Sequence, residues 1–415
     1  MKPQKDKRLH LNFFLDDPNA WGIEFAKLPK NGSSQDPFNL HIFVGFKDNG
    51  TSQGLITAGE VLPLFSQHFT QHMGCPTLLS RLAYLRIVAY VPVFCGFASF
   101  LMHHSFPTLK DLVLEIYKPK NFDSYLPLYE STLRQFRINP QNYPALTHLY
   151  LQGMFHTGFM GRQYFDTKTK FPWNQIISIV LEEWVDCGED ICQILSFCPK
   201  LLRCHIRYTG REANHNPCIF QRGGIHLPKL QCLHVDLICK GNLLPLLRTF
   251  STPALEALII ETSPDVEAGI CPVPALEALR ESSNGLVMLK SITTINFKWS
   301  TDLALEFFRS CSSLEDVSLL KADCDRGKII EFLHNPRLPQ LARFRIDSHS
   351  PETGKIIGML DQCHRLEPRL DKIKWLGPTQ HGGGVCDVDL DVWVKGYQFI
   401  NGDTISQHVL ELIST

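Results

Sequence analysis

The chain has 415 residues, 44% of them apolar and 20% charged, and a formal net charge of −1. This is an ordinary soluble composition, long enough for two or three globular cores or for one repetitive body. A charge so near balance gives no global pull toward nucleic acid or an anionic membrane, so a charge-driven partner has to be met locally.

In chain order, MKPQKDKRLHLNFFLDDP is basic and then apolar, but Asp16 and Asp17 follow too soon for a signal peptide. Residues 1–75 show no clear repeat. Residues 39–46 (NLHIFVGF) alternate as a strand does, and residues 56–69 (ITAGEVLPLFSQHF) have the spacing of a helix interrupted or kinked near Pro63. This block is expected to act as an N-terminal cap. Residues 87–102 are uncharged, yet they fall short of the roughly 20 residues that span a bilayer and contain Pro92. No membrane span is expected.

From Leu82 onward one spacing returns: apolar residues at the first, fourth and sixth positions. Copies begin at Leu82, Leu109, Leu133, Leu146, Ile176, Leu201, Leu230, Leu255, Ile292, Leu314, Leu341 and Leu370. Pro107, Pro144, Pro199, Pro228, Pro253 and Pro339 stand just ahead of the first apolar residue, where a fixed φ and a missing N–H suit the loop entering a strand. The pattern is that of a leucine-rich repeat: a turn and short strand bury the fourth and sixth residues while the fifth faces out. Between strands, residues 190–197, 242–250, 302–309, 328–334 and 355–363 carry apolar residues at 3 and 4 spacing, and the first three open on an Asp or Asn placed to cap a helix. The expected fold class is therefore α/β, a leucine-rich-repeat solenoid with irregular repeats. A curved parallel sheet carries helices on its convex side, over residues 76–377, between caps at 1–75 and 378–415. No repeat buries enough to stand alone, so stability has to come from stacking. Leu133 and Leu146 mark a crowded place. Residues 261–284, with Pro264, Pro272 and Pro274, are expected to form a long surface loop. Beyond residue 377 the run Gly382-Gly383-Gly384 opens a turn, residues 385–394 alternate as a strand, and residues 406–413 suit a closing helix.

Fourteen cysteines occur, none in a C-x-x-C pair. Cys192 and Cys198 are expected on a connecting helix and its end, and Cys204 on the next strand, as reduced thiols of a cytoplasmic or nuclear protein. Gly50-Thr51-Ser52-Gln53-Gly54 and His381-Gly382-Gly383-Gly384 imitate a hydrolase elbow and an oxyanion loop, but the glycine run follows the serine instead of preceding it. A serine esterase is the remote alternative. No catalytic, cofactor-binding or metal-ligating set is expected, and no phosphate loop or dinucleotide fingerprint occurs.

Function in such an arc belongs to the outward third, fifth and seventh residues of each copy, which stand in rows about 4.8 Å apart. The middle of the arc offers His148, Tyr150, Gln152, Glu182, Arg203, His205, Arg207, His234, Asp236 and Glu261, and further on come Asn296, Lys298, Arg343, Arg345 and Lys374. Tyr150, Glu182, His205, Arg207, His234, Asp236, Glu261, Lys298, Arg345 and Lys374 are expected to form a partner-binding concave face, basic toward its C-terminal end.

CPKLLRCHI, LPKLQCLHV, TPALEALIIE and FFRSCSSLEDVSLL resemble the repeat region of fungal F-box proteins with leucine-rich repeats, over about residues 77–376. The resemblance implies a substrate-recognition subunit of an SCF (cullin-RING) ubiquitin ligase, with a protein substrate on the arc and an F-box docked on the Skp adaptor and cullin. No nucleic acid and no membrane are expected as partners, and a monomer is expected outside the complex. Residues 1–75 contain no L-P-x-E opening and no following Trp-bearing helix, so the Skp adaptor and cullin are expected as partners only if an F-box exists upstream. The alternative is a leucine-rich-repeat scaffold unrelated to ubiquitination.

Overall fold

A computed structural model describes residues 8–15, 17–29, 36–45, 52–117, 136–153, 171–184, 188–208, 223–237, 243–263, 271–320, 328, 340–341, 343–347 and 374–376. The chain divides into two compact units at Cys187/Gly188. Each is α/β, built on a parallel sheet whose strands pair in chain order.

In the first unit the strands are β1 (Arg8–Phe14), β2 (Phe38–Gly45), β3 (Leu82–Tyr90), β4 (Asp111–Tyr117), β5 (His148–Gln152) and β6 (Ser178–Trp184). Fourth and sixth residues of the repeat fall opposite one another. Leu85 faces Leu112 and Ile87 faces Leu114, and Leu149 and Leu151 continue the two rows. All are fully buried. β1 and β2 extend the ladder into the N-terminal block, with Leu11 opposite Ile42 and Ile42 opposite Ile87. The sheet thus starts earlier than the spacing alone suggested. The copy at Leu133 forms no strand over its described residues. Phe136 and Ile138 are buried in the connection while β4 pairs directly with β5, which resolves the crowded place.

Helices cover one face of this sheet. Helix Trp21–Ala26 and helix Ser52–Met73, which contains Pro63, pack on Phe13 through Phe25 and Phe65. The apolar run 87–102 splits between the end of β3 and helix Val91–His103. Phe97 and Phe100 of that helix meet Phe69 edge to face at 4.5 and 5.0 Å, so the aromatic face of the run is core. Among the described residues no helix is long and apolar enough to cross a membrane. At the sheet edge, the Asn12 N–H donates to Glu24 Oε2 and the Trp21 indole N–H donates to the Phe14 carbonyl. Two backbone groups of the open strand are satisfied in this way.

In the second unit the order is β7 (Arg203–Tyr208), β9 (Cys232–Leu237), β11 (Ala257–Thr262), β12 (Ser291–Ile295), β13 (Asp316–Leu320), β14 (Arg343–Asp347) and β15 (Lys374–Leu376). A small parallel pair, β8 (Ile225–His226) with β10 (Phe250–Ser251), lies apart from that sheet. Helices Gly188–Ser196, Leu243–Thr249 and Thr301–Ser310 fall where expected, although Asp190 and Asp302 both sit inside the first turn instead of at its cap, and Ser300 holds the cap position of the third helix. Residues 261–284 are not one loop, because helix Val273–Ser282 buries Val273, Leu276 and Leu279. Cys192 lies on its helix, Cys198 beyond its end and Cys204 on β7, all three buried. The expected helices at 328–334 and 355–363, the C-terminal elements and the glycine run lie outside the described residues, apart from Lys328. Ser52 is the first residue of its helix, and Gly50 and Thr51 lie outside the description.

One expectation is overturned by the register. Ile292 stands opposite Leu258 and Val317, both fourth residues, and Thr294 stands opposite Ile260 and Leu319, both sixth residues. The copy therefore begins at Leu289, which is fully buried, and not at Ile292. A threonine fills the inward sixth place. Its hydroxyl accepts the Trp299 indole N–H at 3.1 Å, and Trp299 packs on Phe308 of the following helix, so the polar atom is satisfied on the helix side. Asn296, at φ +65°, ends the strand and anchors its amide on the Thr262 carbonyl at 2.7 Å.

Candidate functional site

The face of each sheet turned away from the helices carries the outward residues. In the first unit the fifth-position row runs His10, His41, Arg86, Val113, Tyr150, Val180. The seventh-position row beside it includes Glu115, Gln152 and Glu182. Arg86 spans from one row to the other and grips Glu115 with two N–H donors, at 2.8 and 2.9 Å. Glu115 is 2% exposed, so this charge is satisfied almost wholly by protein. Tyr150 donates its hydroxyl to Glu182 at 2.8 Å. A phenol has one hydrogen, so Gln152, 3.1 Å away, fits as the donor to the phenol oxygen with its amide turned. Burial first, then the Glu182 and Glu115 charges, hold the Tyr150 phenol far above its ordinary range, and it stays a donor. In the third-position row, His148 Nδ1 meets Asp111 at 2.8 Å.

In the second unit the rows bring His205 against His234. Their rings stack with centroids 4.0 Å apart and 4° between planes. His234 Nε2 contacts Glu261 Oε1 at 2.9 Å, and Arg207 Nε lies 3.0 Å from Asp236 Oδ2. Burial pushes His205 well below its ordinary value, helped by His234 and Arg207, so the ring is neutral. Its Nε2 is buried and has no hydrogen-bond partner among the described residues. Burial, seconded by Glu261, raises Asp236 to about 6 in spite of Arg207. Burial also acts upward on Glu261, but the hydrogen bond and charge of His234, with Arg207, outweigh it and the net shift is downward. The two acids diverge because His234 hydrogen-bonds Glu261, whereas it acts on Asp236 through its charge alone and burial prevails there.

Tyr150 and Glu182 are therefore joined by a hydrogen bond in the first unit, and His205, Arg207, His234, Asp236 and Glu261 form one cluster in the second. Arg345 and Lys374 pair in register on β14 and β15. Lys298 is a correction. The shifted copy puts Thr293 and Ile295 in the fifth and seventh places, and Lys298 is an exposed residue past the strand end, outside the rows. Asn296 leaves the rows for the same reason. Arg86 and Glu115 were missed, although they are the fifth residue of the copy at Leu82 and the seventh of the copy at Leu109, so listing every copy's outward residues finds them. His10 and His41 were missed because the ladder was not followed into residues 8–45, where L-x-L alternation was the available signal. Among the described residues, no group of three or more His, Cys, Asp or Glu is placed to hold a metal ion.

Comparison with known proteins finds no family model and no curated protein that matches the chain. The class defined by the fold is an α/β protein of parallel strands paired in chain order, helices on one face and ionisable side chains in rows on the other.

Proposed function

We propose that the chain is a non-enzymatic protein-interaction module: a leucine-rich-repeat solenoid, capped at both ends, that holds a protein partner on the strand face. Its resemblance to fungal F-box proteins extends the reading to a substrate-recognition subunit of an SCF-type ubiquitin ligase, working in the cytoplasm or nucleus. The in-register fourth and sixth residues support the repeat. The bonds from Trp21 and Glu24 to the edge of β1 support an N-terminal cap. Buried thiols at Cys198 and Cys204 suit a reducing compartment.

The observation that carries the reading is the set of buried ionisable groups on the strand face, Glu115, Glu182, His205 and Asp236. Holding such groups in place costs stability relative to apolar residues of the same shape, and in return fixes polar atoms at a set spacing, as a selective surface needs. The test is co-purification of the full chain with the Skp adaptor and cullin, alongside partner binding by a variant with charge reversal at Arg207 and Arg345. Adaptor binding supports the ligase reading. Partner binding that is lost in the variant, with no adaptor binding, supports the scaffold unrelated to ubiquitination, which the missing L-P-x-E opening favours. Partner binding unchanged in the variant removes the strand face from consideration.

A further inference from the structure

The N-terminal strands carry a second group of side chains that the clusters above do not use. The rings of His10 and His41 stack at 4.5 Å, and His41 lies 5.0 Å from the ring of Tyr84. Arg86 is the next residue of the same row, and Arg8 stands opposite Asn39, which stands opposite Tyr84. Cationic groups thus converge on His41 from both neighbouring strands. The nearby acids are engaged elsewhere, Glu115 by Arg86 and Asp111 by His148. Burial first, then His10, Arg86 and Arg8, hold His41 down at about 4, as expected of an imidazole among cations with no anion beside it. Independently, the Tyr84 hydroxyl is buried without a hydrogen-bond partner among the described residues, on a residue 8% exposed. A buried polar group left open is uncommon and points to something that completes it.

We propose that this face of β1, β2 and β3 docks a carboxylate carried by an acidic segment of a protein partner, with Arg8, His10, His41 and the Tyr84 hydroxyl as its donors. This rests on the reading of the strand face as a binding surface. Arg8 and His10 are exposed, and the helices pack on the opposite side, on Phe13. Phe43, 38% exposed in the adjoining row, offers apolar contact to the segment that carries the acid. The charge is local: of the two arginines, Arg86 is already neutralised by Glu115, which suits one or two carboxylates. A nucleic-acid backbone needs a longer track of cations.

The groups facing His41 are Arg8, His10 and Asn12 on β1 and Tyr84, Arg86 and Val88 on β3, with Asp111 and Glu115 one strand further. A bound carboxylate favours the protonated imidazole, so binding takes up a proton and tightens as pH falls. The experiment titrates the full chain into fluorescein-labelled hexaglutamate at low salt, with hexalysine and oligouridylate as comparison probes, and reads anisotropy. Between pH 7.5 and 5.5 the peptide stays ionised, and its affinity is expected to rise about three-fold or more. His41→Gln is expected to reduce that rise, and His10→Gln combined with His41→Gln to abolish it. Tyr84→Phe is expected to weaken binding about five-fold, without lowering the thermal midpoint because the hydroxyl has no partner to lose.

No hexaglutamate binding up to about 1 mM, a range that includes weak carboxylate contacts, would overturn the proposal. Equal affinity in the wild type and all three variants would do the same, as would oligouridylate being the probe that binds and is lost. A chain that loses its partner on charge reversal at Arg207 and Arg345 yet ignores hexaglutamate rejects this patch alone and leaves the strand-face reading standing.

Discussion

The ion pair between Arg86 and Glu115 gives the sharpest quantitative expectation. Arg86→Met keeps a long apolar stem but removes both guanidinium donors from a carboxylate that is 2% exposed, leaving it the long Tyr117 hydroxyl contact at 3.4 Å. Breaking a buried pair from one side costs about 3–5 kcal/mol, because the remaining charge is left without compensation. The cost has a ceiling, since a carboxylate at pH 7 can shed its charge by taking up a proton for about 3.7 kcal/mol. The expected loss is therefore about 3–4 kcal/mol. Replacing both partners, Arg86→Met with Glu115→Leu, removes the stranded charge and is expected to fall within about 1.5 kcal/mol of the wild type. Urea unfolding of the four proteins of this double-mutant cycle at pH 7 checks it. The reasoning is refuted if Arg86→Met costs less than about 1 kcal/mol, or if the double variant is as unstable as the two single losses added together.

Three further outcomes are expected. Asp236, raised to about 6, binds its proton more tightly folded than unfolded, so its contribution is present at low pH and is lost as pH rises from about 4 through 6. Asp236→Asn is therefore expected to match the wild type near pH 4 and to exceed it by up to about 3 kcal/mol above pH 7, read by urea titrations across that range. Ile292→Ala, at a fully buried inward place, is expected to cost about 2–5 kcal/mol, and Ile295→Ala, at a part-exposed outward place, markedly less. Thermal melts showing the reverse order would reject the register of β12 that places Ile292 inward. Tyr150→Phe removes the donor to Glu182 and is expected to cost about 1–3 kcal/mol by chemical denaturation, whereas no loss would mean the carboxylate finds another donor.

The sequence by itself determined the period. Leu85 and Ile87, Leu112 and Leu114, Leu149 and Leu151 or Leu233 and Val235 are inward because apolar residues two apart on a strand share one face, and no other part of the chain is needed to see it. The same alternation placed Tyr150, Glu182, His205, Arg207, His234, Asp236 and Glu261 on the outer face. It failed at β12, where the inward sixth residue is Thr294. Its hydroxyl is tolerated only because Trp299 donates to it, and that indole comes from beyond the strand. It failed again at the copy beginning at Leu133, where Phe136 and Ile138 fit the spacing and yet are buried outside any strand, because β4 and β5 pair directly.

Only the tertiary structure decided which outward residues meet. Whether Arg86 reaches Glu115, whether His234 serves Glu261, or whether His10 and His41 lie ring on ring depends on which strands are neighbours and in what register. Strand pairing is a long-range property, set by how the connecting helices pack as much as by the strands themselves. The charge state of this face follows from that pairing. Asp236 and Glu261 are both acids of the strand rows, and they titrate in opposite directions from their ordinary values because one of them has a histidine within 2.9 Å.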